Sequence, residues 1–126
     1  MLGAICREIL IWLGVIPKPA YLARIVDMHP APENIAPDWV YVVGGSDYQK
    51  WACFRCPTGS GEVIQLSLMH NRRPHWQVKV DWLGRPTIHL SVRQLESSFA
   101  HFWLRKGTIS WCPDTGRKPH GNNLFI

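Results

Sequence analysis

Residues 62–82, EVIQLSLMHNRRPHWQVKVDW, decide the fold class. In 62–68, Ile64, Leu66 and Leu68 alternate with Gln65 and Ser67; in 76–82, Trp76, Val78, Val80 and Trp82 alternate with Gln77, Lys79 and Asp81. A period of two sends every second side chain to the same side, so each run reads as a strand with one apolar face. Residues 71–74 connect the two strands, and Leu83-Gly84-Arg85-Pro86 turns the second into a third at 87–90. Residues 91–98 have the composition of a helical turn. Beyond them, 99–105 and 108–112 form a last hairpin around Lys106-Gly107.

Toward the N-terminus the pattern is looser. Residues 39–43 and 21–26 read as strands, the first broken by Gly44-Gly45. The stretch 27–38 holds Pro30, Pro32 and Pro37 and reads as an exposed connection. In 2–16, Ile5, Ile9, Trp12, Leu13 and Ile16 recur at helical spacing until Pro17 and Pro19 stop the run. That stripe has to cover the protein's own sheet, a partner or a membrane surface. Residues 113–126 carry turn residues without periodicity, as a loosely held tail does. The expected architecture is mainly β (α+β): a small antiparallel sheet or partly open barrel with one N-terminal amphipathic helix. A length of 126 residues suits one domain, with helix and linker at 1–19, a β-rich core at 20–112 and the tail at 113–126.

Composition narrows the function classes. Seven Trp and a hydrophobic content of 46% argue against disorder. The net charge of +5 is scattered, with Arg72-Arg73, His70 and His75 as its densest point, which suits a solvated surface better than a nucleic-acid site. No Rossmann or P-loop glycine pattern is present. The apolar stretch 2–16 is too short to span a bilayer and contains Arg7 and Glu8, so neither a membrane anchor nor a signal peptide is expected. A cytoplasmic location follows, with cysteines that are reduced or metal-bound.

Two segments carry candidate chemistry. In 53–62, Cys53-x-x-Cys56 is half of a zinc site, for which Cys112 is a third ligand and His101 a fourth; buried thiols near a turn are the plainer alternative. The same segment contains Gly59-Ser60-Gly61. Glycines on both sides allow a positive φ and leave Ser60 unshielded, as a nucleophile requires, and the amides around Gly59 and Gly61 are candidate oxyanion donors. Ordinary loop chemistry accounts for the same residues. In the second segment, 97–103, His101 sits among aromatics as a candidate base, with Ser98 as a rival nucleophile. His89 is the second candidate base. His29, His70, His75 and His120 read as surface groups. For the carboxylate that orients a catalytic histidine, Glu62 is nearest to Ser60 in sequence and Asp81 is the other choice.

Taken in order, Cys-Pro-x-Gly-x-Gly-Glu at 56–62, Arg-Pro-x-Trp at 73–76, His-x-Ser-Val at 89–92, His-Phe-Trp at 101–103 and Gly-x-Ile-x-Trp-Cys at 107–112 resemble a family of small bacterial proteins of formerly unknown function. The resemblance covers roughly residues 51–112. That family is associated with bacterial ubiquitin-like conjugation operons. Many of its members resemble a metal-binding protein, with cysteines where this chain has Thr58, Ser60 and Ser98, so a family-type zinc site is not matched residue for residue. The resemblance implies a serine peptidase that processes a ubiquitin-like protein at its C-terminus or removes it from targets. Its partners would be that protein's tail and the activating and conjugating enzymes. Ser60 would then be the nucleophile, His101 or His89 the base and Glu62 the orienting carboxylate. The competing reading is a non-enzymatic adaptor for the same partners, stabilised by zinc at Cys53, Cys56 and Cys112.

Overall fold

Strands with matching alternation pair side by side, and here they form two four-stranded sheets. The computed structural model describes residues 2–44, 48–59, 61–94 and 99–117. In the first sheet, β1 (Leu22–Val26) lies parallel to β2 (Trp39–Gly44), and β3 (Gln49–Arg55) and β4 (Val63–Ser67) continue antiparallel in that order. In the second, β5 (Gln77–Val80), β6 (Pro86–Arg93), β7 (His101–Arg105) and β8 (Thr108–Trp111) form an antiparallel meander. The expected mainly β class with one N-terminal helix holds, as two sheets where one was expected.

The sheets pack face to face over one apolar core. Val40 and Val42 of β2, Ala52 and Phe54 of β3, and Ile64 and Leu66 of β4 meet Val78, Ile88, Val92, Phe102 and Leu104 of the second sheet. The Phe54 ring stands edge-on to Phe102 at 6.4 Å between centroids and to Tyr21 at 5.5 Å. Tyr21 is buried, and its hydroxyl donates to the Arg55 carbonyl, which satisfies the one polar atom this ring brings into the core. Gly107 ties the two sheets at their ends: its N–H donates to Pro86 O, and its own carbonyl accepts from Ala20 and Tyr21. At φ +75°, with a Cβ there falling 2.6 Å from Tyr21 O, this position admits only glycine without strain.

Strand β3 has no clean alternation because both of its faces are covered. Ala52 and Phe54 face the core, while Cys53 packs on the outer side with Tyr41, Val43 and Ile35. Ile35 is the one buried residue of the proline-rich stretch 27–38, which is otherwise the largely exposed connection expected of it. It lies across the outer face of the first sheet, held by Arg55 Nε donating to Ile35 O at 3.0 Å and Ala36 N–H donating to Tyr41 Oη at 3.2 Å. The stretch is also not the wholly irregular chain its prolines suggest: Pro32–Asn34 form one 3-10 turn, in which Ile35 N–H donates to Pro32 O, because proline is tolerated at a first helical position.

Helix α1 (Leu2–Trp12) is shorter than the apolar repeat suggests. It docks by its small and charged side: Gly3 approaches the Trp82 carbonyl closely, and Arg7 donates to Leu83 O at 2.9 Å. Its apolar stripe, Ile5, Ile9, Trp12 and Leu13, stays exposed and does not cover either sheet. Among the described residues, no helix is long and apolar enough to cross a membrane.

Candidate active site

The site is built where β6 departs from regular pairing. Ile88 pairs with Leu104 and Val92 with Phe102, so residues 89–91 of β6 stand against the single residue 103 of β7. Such a bulge re-aims side chains and is frequent beside active sites. Two extra residues leave the alternation intact: Ile88 and Val92 stay in the core, and His89, Ser91 and Arg93 point to the outer face. On β7, Phe102 and Leu104 face the core, which turns His101, Trp103 and Arg105 to that same outer face.

Ser91 and His101 therefore meet. Ser91 Oγ lies 3.0 Å from His101 Nε2, and Asp114 Oδ1 lies 2.6 Å from His101 Nδ1. A carboxylate only accepts, so Nδ1 carries the proton and donates to Asp114; Nε2 is then the lone-pair nitrogen that accepts from the Ser91 hydroxyl. Arg93, with a side chain 6% exposed, donates from NH2 to Asp114 Oδ2 at 2.6 Å. Its 2.8 Å approach to Nδ1 brings two donors onto one carboxylate. The chain following β8 supplies Asp114 and is anchored at His101: Cys112 N–H donates to His101 O, and His101 N–H donates to Thr115 Oγ1. Trp76 Nε1 donates to the Ser91 carbonyl at 3.1 Å and fixes the backbone of the bulge. Ser91 and His101 are both buried; Asp114 is about half exposed.

The hydrogen bond from His101, together with that from Arg93, holds the Asp114 carboxyl below the usual carboxylate range, against partial desolvation that acts the other way. Its folded-state pKa is depressed, so the stability it confers is present above the ordinary carboxylate pKa. That stability is lost as pH falls through the lower, folded value. In an acid titration followed by tryptophan fluorescence, Asp114→Asn is expected to lack this limb of destabilisation. Superimposable acid limbs for the two proteins would exclude the linkage.

The other expected site residues fall as follows. Ser60 and Ser98 lie outside the described residues. Gly59 and Gly61 adopt φ of +79° and +84° in the turn between β3 and β4, and the Gly59 N–H donates to Cys56 O at 3.3 Å. Glu62 accepts from Gln94 Nε2 at 2.6 Å, which brings this turn beside the end of β6. Among the described residues the carboxylate on His101 is Asp114. His89 is exposed, with its ring beside Trp103 at 6.4 Å. Asp81 caps its own turn through Leu83 N, Arg85 N and Arg85 Nε.

Cys53 and Cys56 do not converge. Three residues apart at the end of an extended strand, they enter the clusters on opposite faces of the first sheet. Burial pushes the Cys53 thiol up to about 11, and its Sγ lies 3.3 Å from His29 Nε2. Cys112 Sγ falls within 4.8 Å of ligand atoms of His101 and Asp114, the one such cluster among the described residues. Two of its three members are already hydrogen-bonded to each other, and the Arg93 cation occupies the same carboxylate. Burial foremost, and Asp114 after it, push the Cys112 thiol up as well. Both are thus poor thiolate nucleophiles at neutral pH.

In the sequence Ser91 stands out only as part of the motif at 89–92, and Arg93 and Asp114 do not stand out as candidates. The alternation Ile88, Leu90, Val92 against His89, Ser91, Arg93 marks the continuation of β6 to Arg93, where a helical turn over 91–98 is expected; residues 95–98 lie outside the described residues. Nothing local marks Asp114.

A family model described as the bacterial ubiquitination-like system serine protease (BubE) matches residues 26–112. No curated protein and no solved structure matches the chain.

Proposed function

We propose that this chain, which belongs to the BubE family of bacterial ubiquitination-like system serine proteases, hydrolyses the bond that follows the C-terminus of a ubiquitin-like protein, with Ser91 as nucleophile, His101 as general base and Asp114 as the group that orients the base. The observation that carries this reading is the unbroken chain of hydrogen bonds Ser91–His101–Asp114, each link at 3.0 Å or less.

In the first step Ser91 Oγ attacks the scissile carbonyl and gives its proton to Nε2. The imidazolium that forms is stabilised by Asp114, which Arg93 keeps ionised, and then protonates the leaving amine. In the second step a water, deprotonated by Nε2, hydrolyses the acyl-enzyme and Ser91 regains its proton. Ser91 is enclosed in the structure, so an extended substrate tail has to open the cover over it before attack. That enclosure favours one other role, a polar network that only joins β6 to β7.

A fluorophosphonate probe separates the two, because it reacts only with a serine activated by a base. Peptide mapping of the labelled protein is expected to find the phosphonyl group on Ser91. Label on Ser60 or Ser98 would move the nucleophile to that residue, and a native protein that takes up no label would leave the structural role.

A further inference from the structure

Beside Ser91, the start of β5 and the bulge of β6 enclose an open groove of about 640 Å³. It is lined by Arg73, Pro74, His75, Gln77, His89 and Leu90, the last of which precedes Ser91 in the chain. The lining holds one guanidinium, two imidazoles and an amide, and no carboxylate. Arg73 forms no ion pair with any acid among the described residues. His75 donates from Nδ1 to Arg72 O at 3.0 Å, which fixes its ring and leaves Nε2 for a ligand. His89 is held beside Trp103, on the same outer face as Ser91 and His101.

This face stays basic beyond the groove. Pairing sets Gln77 opposite His89 and Lys79 opposite Thr87, and on β7 Arg105 lies over the Trp103 ring at 4.5 Å. Within the groove itself, a substrate segment leaving Ser91 meets side-chain donors and no carboxylate. A guanidinium flanked by imidazole and amide donors is the usual setting for a carboxylate, which it engages by charge and by paired hydrogen bonds.

From this we propose that the groove is a recognition site for a carboxylate on the substrate segment next to the bond that Ser91 attacks. The proposal rests on the reading of Ser91 as nucleophile for the position of that bond, and on the groove alone for the ligand. The carboxylate has two sources: an acidic side chain in the segment, or the free C-terminus of a short leaving extension.

The test uses a ubiquitin-like protein carrying short C-terminal extensions that differ in one group at a time, Glu against Gln next to the junction and a free against an amidated terminus. The wild-type chain is expected to cleave at least one carboxylate-bearing member about tenfold or more faster in kcat/KM than its neutral match. The Glu/Gln pair and the free/amidated pair show which source is read. Arg73→Gln with His89→Gln is expected to bring the acid-bearing substrate down to the level of its match, with thermal unfolding as the control for folding of these exposed positions. Calorimetric binding of the same extended proteins to Ser91→Ala repeats the comparison without catalysis. Carboxylate-dependent binding with no cleavage by the wild type would overturn Ser91 as nucleophile and keep the groove. Equal handling of all four extensions, absence of binding, or a preference that survives the double substitution would overturn the groove.

Discussion

Ser91→Ala is expected to slow cleavage of an extended ubiquitin-like precursor by at least about 10⁴-fold in kcat, because the remaining groups have no attacking atom to activate. The protein should stay folded. Losing the hydroxyl leaves His101 Nε2 without its donor in a buried setting, which costs about 1–3 kcal/mol, less than the total stability of an ordinary domain. His101 keeps its bond to Asp114, and Asp114 keeps Arg93, so the frame around the missing atom is retained. Ser60→Ala and Ser98→Ala, made in parallel, are expected to retain cleavage. A Ser91→Ala protein that still works at more than a tenth of the wild-type rate would remove Ser91 from the mechanism, and a matching collapse in either companion variant would name its replacement.

The second large effect is on stability. Phe54→Ala should lower the free energy of unfolding by about 3–5 kcal/mol, read from the midpoint of urea denaturation. Phe54 is fully buried and stands between Tyr21 and Phe102, so its removal opens a void where the two sheets meet. Phe102 is adjacent to His101 on β7, and loosening the strand there should cost activity as well as stability. Trp12→Ala is the control. That ring is larger but 84% exposed, and its loss is expected to change stability by no more than about 0.5 kcal/mol. A Phe54→Ala loss below about 1 kcal/mol would mean that the void is refilled by its neighbours and that the sheets do not depend on this ring.

The distribution of these effects follows from which forces act locally. The strands at 63–67 and 77–80 are legible because one face of each is apolar and the period of two needs no knowledge of the partner, and those at 101–105 and 108–111 because Lys106-Gly107 marks the turn between them. Strand β3 is not, since packing on both sides removes the alternation that marks a strand. The stretch 27–38 is largely the exposed connection its prolines suggest, but proline content excludes neither the short 3-10 turn at Pro32–Asn34 nor the burial of Ile35. His101 was visible as a histidine among aromatics, and Glu62 as a carboxylate near a glycine turn. Their partners, Ser91, Asp114 and Gln94, were not.

What residue order determined alone is the mainly β class, the helix at the N-terminus, and an ordered set of motifs pointing to one family, with His101 as a candidate base. What only the three-dimensional arrangement decided is the company His101 keeps. Ser91 is ten residues before it and Asp114 thirteen after it, and they reach the ring through a bulge in β6 and the path of the chain past β8. Alternation is a property of neighbours along the chain and survives in the sequence. A hydrogen bond across strands depends on register, and register is set by how the two sheets close over their common core.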